Sequence, residues 1–205
     1  GRPKLDGIEY IYIDDPNVAL AEYRAGRLDI MSLGGSIADE VRADPELASH
    51  ILSAPVANTI VMDMSLHQEP FTDPKVRQAF AYAFDRETWC GVVLSGTCTP
   101  AFSWIPPGTP GYTESDAYAF DPEAARQALA ESTYGGPEGL PEITMVFAND
   151  GPNDTPRVEW IAGQYRDILG VEIELEPMEG VALQRLQGDP STFVQISPFG
   201  GWYQD

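Results

Sequence analysis

Apolar positions along this chain follow two rhythms, one of period two and one of period near 3.6. From Ile8 to Ile13 they alternate weakly, as in a half-buried strand, and Leu28 to Leu33 has the same look. Between them Asp15-Pro16 opens a helix through Leu20 and Tyr23 that stops at Gly26. An Asp side chain can accept an unpaired N–H at a helix start, and Pro suits the first helical position because its missing N–H would lack an intrahelical partner there. The three pieces predict a β-α-β unit with parallel strands, which places the chain in the α/β class. A break at Gly34-Gly35-Ser36, a short acidic helix from about Ala38 to Arg42 and a long extended stretch from Ala54 to Leu66 follow.

The remainder alternates helix and strand. Asp73-Pro74 starts a helix with Val76, Ala79, Phe80, Ala83 and Phe84 on one face, and Asp85 starts another running to about Leu94. Gly96 to Gly111, with Pro100, Pro106, Pro107 and Pro110, is too rich in Pro for regular structure and is expected to be a long ordered loop. Asp121-Pro122 opens a helix through Ala125, Ala128 and Leu129 that ends near Tyr134-Gly135-Gly136. Ile143 to Phe147 is expected to be a strand. Thr155-Pro156 begins a helix with Val158, Ile161, Tyr165, Ile168 and Leu169 facing inward and Gly170 at its end. Val171, Ile173 and Leu175 alternate with Glu172, Glu174 and Glu176, the pattern of a half-buried strand with an acidic outer face. A short helix near Val181 to Leu186 and a last strand from Phe193 to Ile196 complete the pattern.

Composition narrows the function. The 205 residues carry 32 acidic against 12 basic side chains, a formal charge of -20. Nucleic acid and anionic membrane surfaces are not expected as partners, because binding them depends on Lys and Arg displacing counterions. With 43% hydrophobic residues the chain can still bury a core, about 70% of its unfolded surface at this length. No apolar run approaches the roughly 18 residues of a membrane span, so direct insertion is not expected. Cys90 and Cys98, with seven residues between them, match no zinc or thioredoxin spacing. In an exported protein they can bridge, at about 2.5 kcal/mol on the chain-entropy model; in a cytosolic one they are free thiols.

Catalytic and cofactor signals are thin. His50 and His67 are the two histidines and sit in different contexts, leaving little material for a metal site or a Ser-His-Asp triad. Asp150, Asn153 and Asp154 superficially suggest a calcium loop but have the wrong spacing and no twelfth-position Glu. No Gly-Lys-Ser/Thr follows a strand, and Glu172, Glu174 and Glu176 lie along one solvated face, a poor acid and base pair. Neither an enzyme nor a cofactor is expected.

The run Pro70-Phe71-Thr72-Asp73-Pro74-Lys75-Val76-Arg77-Gln78-Ala79, followed by Ala83-Phe84-Asp85-Arg86, resembles the signature stretch of the extracytoplasmic solute-binding proteins of peptide-type ABC importers. This is bacterial extracellular solute-binding protein family 5, which includes oligopeptide-, dipeptide- and nickel-binding proteins. Four further stretches agree in order and spacing: Gly1 to Ile8, Gly96 to Gly111 with its Ile105-Pro106-Pro107-Gly108, the helix start within Tyr118 to Leu129, and Leu169-Gly170-Val171-Glu172-Ile173. Met64-Ser65 departs from the pattern, standing where many members have an aromatic or aliphatic residue followed by Asn. The resemblance implies a type II periplasmic-binding-protein-like fold, a mixed sheet flanked by helices. Members are roughly two to three times longer than this chain. Residues 1–53 are therefore expected to be the end of a first lobe, carrying the β-α-β unit, and 54–205 most of a second, peptide-binding lobe cut at its C-terminus.

By the same resemblance, Trp202 and Asp205 match a Trp followed three residues later by an Asp at the ligand cleft, where the carboxylate receives a peptide α-ammonium. An ammonium withdrawn from water needs a fixed anion, and a charge-assisted hydrogen bond is about twice as strong as a neutral one. Trp202 adds a flat apolar wall. Phe199 and Gly200, with Gly201, either let the backbone approach a ligand or mark a bend. Arg77 is taken as a structural ion-pair residue, Asp73 and Asp85 as caps. The implied function is capture of a small peptide or similar solute between two lobes for a membrane ABC permease, in the periplasm or outside the cell, in the intact protein as a free protein or an anchored lipoprotein. A ligand-sensing lobe of a transcriptional or signalling regulator and an acid-rich hydrolase are the alternatives.

Overall fold

The computed structural model describes residues 4–34, 37–54, 56, 58–187, 189 and 194–203, of which 199–203 as backbone. The chain divides into two compact units, 1–52 and 53–205. In the first, helix α1 (Pro16–Arg24) starts where the Asp15 carboxylate accepts the Asn17 N–H at 2.8 Å. Helices α2 (Ala38–Ala43) and α3 (Pro45–Ala48) share Asp44, whose N–H closes the first and whose carboxylate accepts the N–H groups of Glu46 and Leu47 in the second. Leu20, Ile37, Val41 and Leu47 form a small buried cluster.

The β-α-β expectation keeps its helix and loses its strands. Residues 8–13 and 28–33 are irregular and pair with no strand among the described residues. Alternation marks residues able to line a half-buried strand, whereas only a ladder partner for the N–H and C=O groups makes one. Large apolar side chains in both stretches are open to solvent, Tyr10 at 91%, Tyr12 at 97% and Ile30 at 86%.

The second unit is built on a four-stranded sheet. In chain order its strands are β1 (Asn58–Met64), β2 (Ile143–Ala148), β3 (Ile173–Met178) and β4 (Ile196–Tyr203), and in space they lie β1-β4-β2-β3. Edge strand β1 is antiparallel to β4; the other pairs are parallel. Helix α4 (Pro74–Tyr82), the short α5 (Arg86–Thr88) that continues as a π-turn over Trp89–Val93, α6 (Pro122–Ala130), α7 (Asp154–Leu169) and α8 (Gly180–Gln187) surround it. The last strand thus begins where the pattern had it end, at Ile196; Phe193, its expected start, lies outside the described residues. Phe199-Gly200-Gly201 carries weak strand propensity, and pairing with β1 makes the strand.

β2 lies between β3 and β4, so the crossovers β2-α7-β3 and β3-α8-β4 leave in opposite directions. Right-handed crossovers then put α7 and α8 on opposite faces of the sheet. The packing agrees: Val158, Ile161, Tyr165 and Leu169 of α7 join Ile143, Met145 and Phe147 in the main core, while α8 packs on β2 and buries Leu183 outside that core. β2 is consequently buried on both faces, Val146 included, which is why Met145 to Ala148 is a continuous apolar run. The core is completed by α4 and α6, with Phe80 between Phe71 and Tyr165 at ring separations of 5.1 and 4.5 Å. Full burial pushes the Tyr165 hydroxyl pKa up, well above its ordinary value.

Polar side chains join the elements. Asp73 accepts the Lys75 N–H at 2.8 Å, capping α4, and with its other oxygen accepts the N–H and hydroxyl of Thr133 beyond α6 at 2.7 and 2.8 Å. Arg77, expected to form an ion pair, instead donates to the Phe71 and Thr72 carbonyls, with Asp73 nearby. The Cys90 and Cys98 sulfurs are joined, with Cα atoms 5.1 Å apart.

Replacing Asp73 by Ala removes a cap and two cross-element bonds, and is expected to lower unfolding free energy by about 2–3 kcal/mol in urea titrations. Partial burial raises the Asp73 carboxyl, but the bonds from Thr133 and Lys75 outweigh it and hold its pKa below 3.8. The sign follows: the contribution is complete above pH 3.8 and disappears as pH falls through the lower folded value. An Asp73→Ala deficit that persists undiminished well below pH 3 contradicts this assignment.

Candidate functional site

The site is organised by where parallel strands stop. β2 ends at Ala148 and β3 at Met178. Met145 lies opposite Ile196, and because β4 carries one extra residue between Ser197 and Gly200, Ala148 is level with about Gly200. β4 continues to Tyr203, paired among the described residues with β1 alone: Gly200 with Val61, Gly201 with Ile60, Trp202 with Thr59 and Tyr203 with Asn58. At about 3.3 Å per residue this carries the Trp202 backbone about 7 Å past the end of β2. In open α/β sheets ligands bind outside the carboxyl ends of the strands, where successive crossovers diverge to opposite faces. The divergence here is at β2, and the ribbon of 58–61 with 200–203 extends from that edge.

An irregularity sits at the root of the ribbon. Between Val61 opposite Gly200 and Asp63 opposite Ser197 the ladder slips by one residue. The extra residue falls at Pro198 or Phe199, and Pro cannot donate to a ladder. Gly200 and Gly201 themselves lie inside the strand rather than at a bend. Behind the slip, Gln195 accepts the Thr144 N–H with its amide oxygen at 2.7 Å and donates to the Glu69 and Glu142 carbonyls at 2.6 and 3.2 Å, holding the starts of β2 and β4 to the segment before α4. Thr59 is buried, and its hydroxyl is the one fully buried side-chain polar atom without a hydrogen-bond partner among the described residues. Protein packed around Asp63 pushes its carboxyl pKa up.

Beside the ribbon, the turns after β2 and β3 are locked to each other. Asn149 donates its N–H to the Met178 carbonyl at 2.9 Å, and the Thr155 hydroxyl donates to the Asn149 side chain at 3.1 Å. Asp154 accepts the N–H groups of Asp150 and Gly151. Asp150 accepts the Gly180 N–H at 3.0 Å, capping α8 from the neighbouring turn, and a Cβ at position 180 would collide with that carboxylate. Both carboxylates are thus occupied by backbone N–H groups. Among the described residues no group of three His, Cys, Asp or Glu side chains is arranged to hold a metal ion.

Of the residues singled out in the sequence, Phe199, Gly200 and Trp202 fall on the ribbon and its root, and Asp205 lies outside the described residues. Sequence reasoning missed Thr59, Asp63, Asn149 and Gln195. None belongs to a periodic pattern; each acquires its place from a strand or turn far away in the chain. No helix among the described residues is long and apolar enough to cross a membrane.

The model of bacterial extracellular solute-binding proteins, family 5 Middle, matches residues 1–205. A probable di/tripeptide-binding protein 5 of Pseudomonas aeruginosa is 33% identical over 211 residues, covering all of this chain and 38% of the relative. Heme-binding protein A of Haemophilus influenzae is 30% identical over 174 residues, covering 82% of this chain and 31% of that protein. The structure of Burkholderia pseudomallei OppA superposes with a TM-score of 0.76 at 21% identity, over 96% of this chain and 40% of that one, a likeness of fold. The chain thus spans less than two fifths of the length of these curated relatives. With the family model matched from end to end, the chain belongs to the bacterial extracellular solute-binding proteins of family 5.

Proposed function

We propose that the protein carrying this chain is the substrate-binding component of an ABC importer, which captures a short peptide or similar small solute between two lobes and hands it to a membrane permease. Residues 1–53 belong to the first lobe in this reading, and 54–205 form most of the second. The observation that carries it is the match of the whole chain to the family, together with the run-out of β4 past the carboxyl edge of the sheet. Names of relatives point the same way: di/tripeptide-binding and glutathione-binding proteins are among them. The protein works outside the cytoplasm, free or held to the membrane by a lipid anchor.

In this reading Asp205 takes the ligand's ammonium and Trp202 supplies an apolar wall beside it, with Gly200 and Phe199 at the root of the ribbon. Main-chain hydrogen bonds to an extended ligand give affinity with little side-chain selectivity. Closure is a hinge motion driven by contacts available only when the lobes meet.

Calorimetry on the full-length protein with a tripeptide mixture tests the assignment. Asp205→Asn is expected to weaken binding about 10- to 100-fold, the worth of one charge-assisted hydrogen bond. N-acetylated peptides should be weakened similarly on the parent protein and show little further loss on the variant; equal penalties on both proteins refute the ammonium role. Residues 1–205 by themselves are expected to bind peptide no tighter than millimolar, so micromolar affinity of that chain contradicts a cleft shared with other parts of the protein.

A further inference from the structure

Residues 97–121 cross the surface of the second unit without helix or strand, and their attachments are few. Cys98 is bonded to Cys90 in the π-turn after α5. The Phe102 ring lies 5.4 Å from the Arg86 guanidinium, which also donates to the Tyr118 carbonyl at 3.1 Å and to the carbonyls of Ala81 and Phe84. The Tyr118 ring packs edge-on against Tyr82 at 5.2 Å, and Asp121 donates its N–H to the Tyr82 carbonyl. Between these feet the segment is self-contained. Thr109 bonds to Pro106, Tyr112 to Thr109, Ala117 to Ser115, and a small cavity is walled by the segment's own Phe102, Ile105, Pro107 and Tyr112. No hydrogen bond or ion pair ties residues 103–117 to another element among the described residues.

Such a piece is packed by its own side chains and held at its feet. One foot is noncovalent and depends on Arg86. The other is a covalent bond open to thiol chemistry from one side, since Cys90 is 6% exposed and Cys98 is exposed. We propose that residues 98–118 form a redox-fastened strap, ordered against the end of α4 and the π-turn while Cys90 and Cys98 are joined and released when they are reduced. The strap is then set in the oxidising surroundings outside the cytoplasm and slack in a reducing one. The proposal stands on this segment alone and does not depend on what the protein binds.

The reductant is a dithiol. Its thiolate attacks Cys98 Sγ, the Cys90–Cys98 bond breaks, and Cys90 leaves as a thiolate that takes up a proton. The second thiol of the reductant then displaces Cys98, leaving the reductant as a cyclic disulfide and the protein with two thiols, two electrons and two protons having passed. Because the leaving sulfur is the buried one, where a thiolate is disfavoured, reduction is expected to be slow in the folded protein.

Hydrogen exchange read by mass spectrometry on the oxidised protein, the dithiol-reduced protein and Cys98→Ser tests the strap. Exchange in peptides spanning 99–117 is expected to rise about ten-fold in both reduced forms and to return on reoxidation, with α4, α6 and α7 unchanged. Unchanged exchange in 99–117 overturns the proposal by showing that Arg86 and Tyr118 suffice. A rise throughout the unit also overturns it, because the bond is then a general staple. Two free thiols in the unreduced protein overturn it directly.

Discussion

The burial of β2 on both faces is the constraint from which the second unit follows. A strand flanked on either side cannot receive both neighbours from one direction, so the crossover to β3 and the crossover back to β4 must separate. Their separation puts α7 over Met145 and Phe147 and α8 over the other face, and it opens the sheet's carboxyl edge between the two helix starts. The ribbon of β1 and β4 extends from that edge. One mostly apolar hexapeptide, Ile143 to Ala148, therefore determines both where the core lies and where the sheet's carboxyl edge opens.

Acidic residues do more in this chain than set a charge of -20. Asp15, Asp44, Asp73, Asp85 and Asp121 each accept N–H groups at the start of a helix, and Asp150 does so for α8 across a turn. A carboxylate at a helix start satisfies donors that have no intrahelical partner and meets the positive end of the helix dipole. Asp73 and Asp150 reach further, because each joins two elements that are distant in sequence. Part of the acidity is thus structural, while Glu174 and Glu176 line the exposed side of edge strand β3, where charge discourages pairing with a foreign strand.

Local chemistry was legible wherever a signal was complete within a few residues. The Asp-Pro starts at 15, 73 and 121, the inward faces of α4 and α7, the left-handed Gly170 and the alternation at Ile173 and Leu175 all appear where the pattern placed them. Asp44-Pro45 used the same start signal unnoticed, since a four-residue helix has no periodicity to support it. The helix expected after Asp85 changed to a π-turn at Trp89, where Cys90 meets Cys98 and Trp89 packs between Phe84 and Trp160.

By itself the sequence determined the family, the helix starts, the apolar faces and the position of Phe199, Gly200 and Trp202 near the end of the chain. Caps, faces and motifs depend on neighbours within one or two helical turns, and that information is written consecutively. Tertiary structure decided which segments become strands: 8–13 and 28–33 alternate yet find no partner among the described residues, while the glycine-containing stretch at 199–201 is a strand because β1 lies beside it. It also decided the company of Thr59, Asp63, Asn149 and Gln195, whose environments are assembled from distant segments, Gln195 meeting Glu69 across 126 residues. A backbone ladder and a buried hydrogen bond are properties of pairs, and no single stretch of chain contains both members.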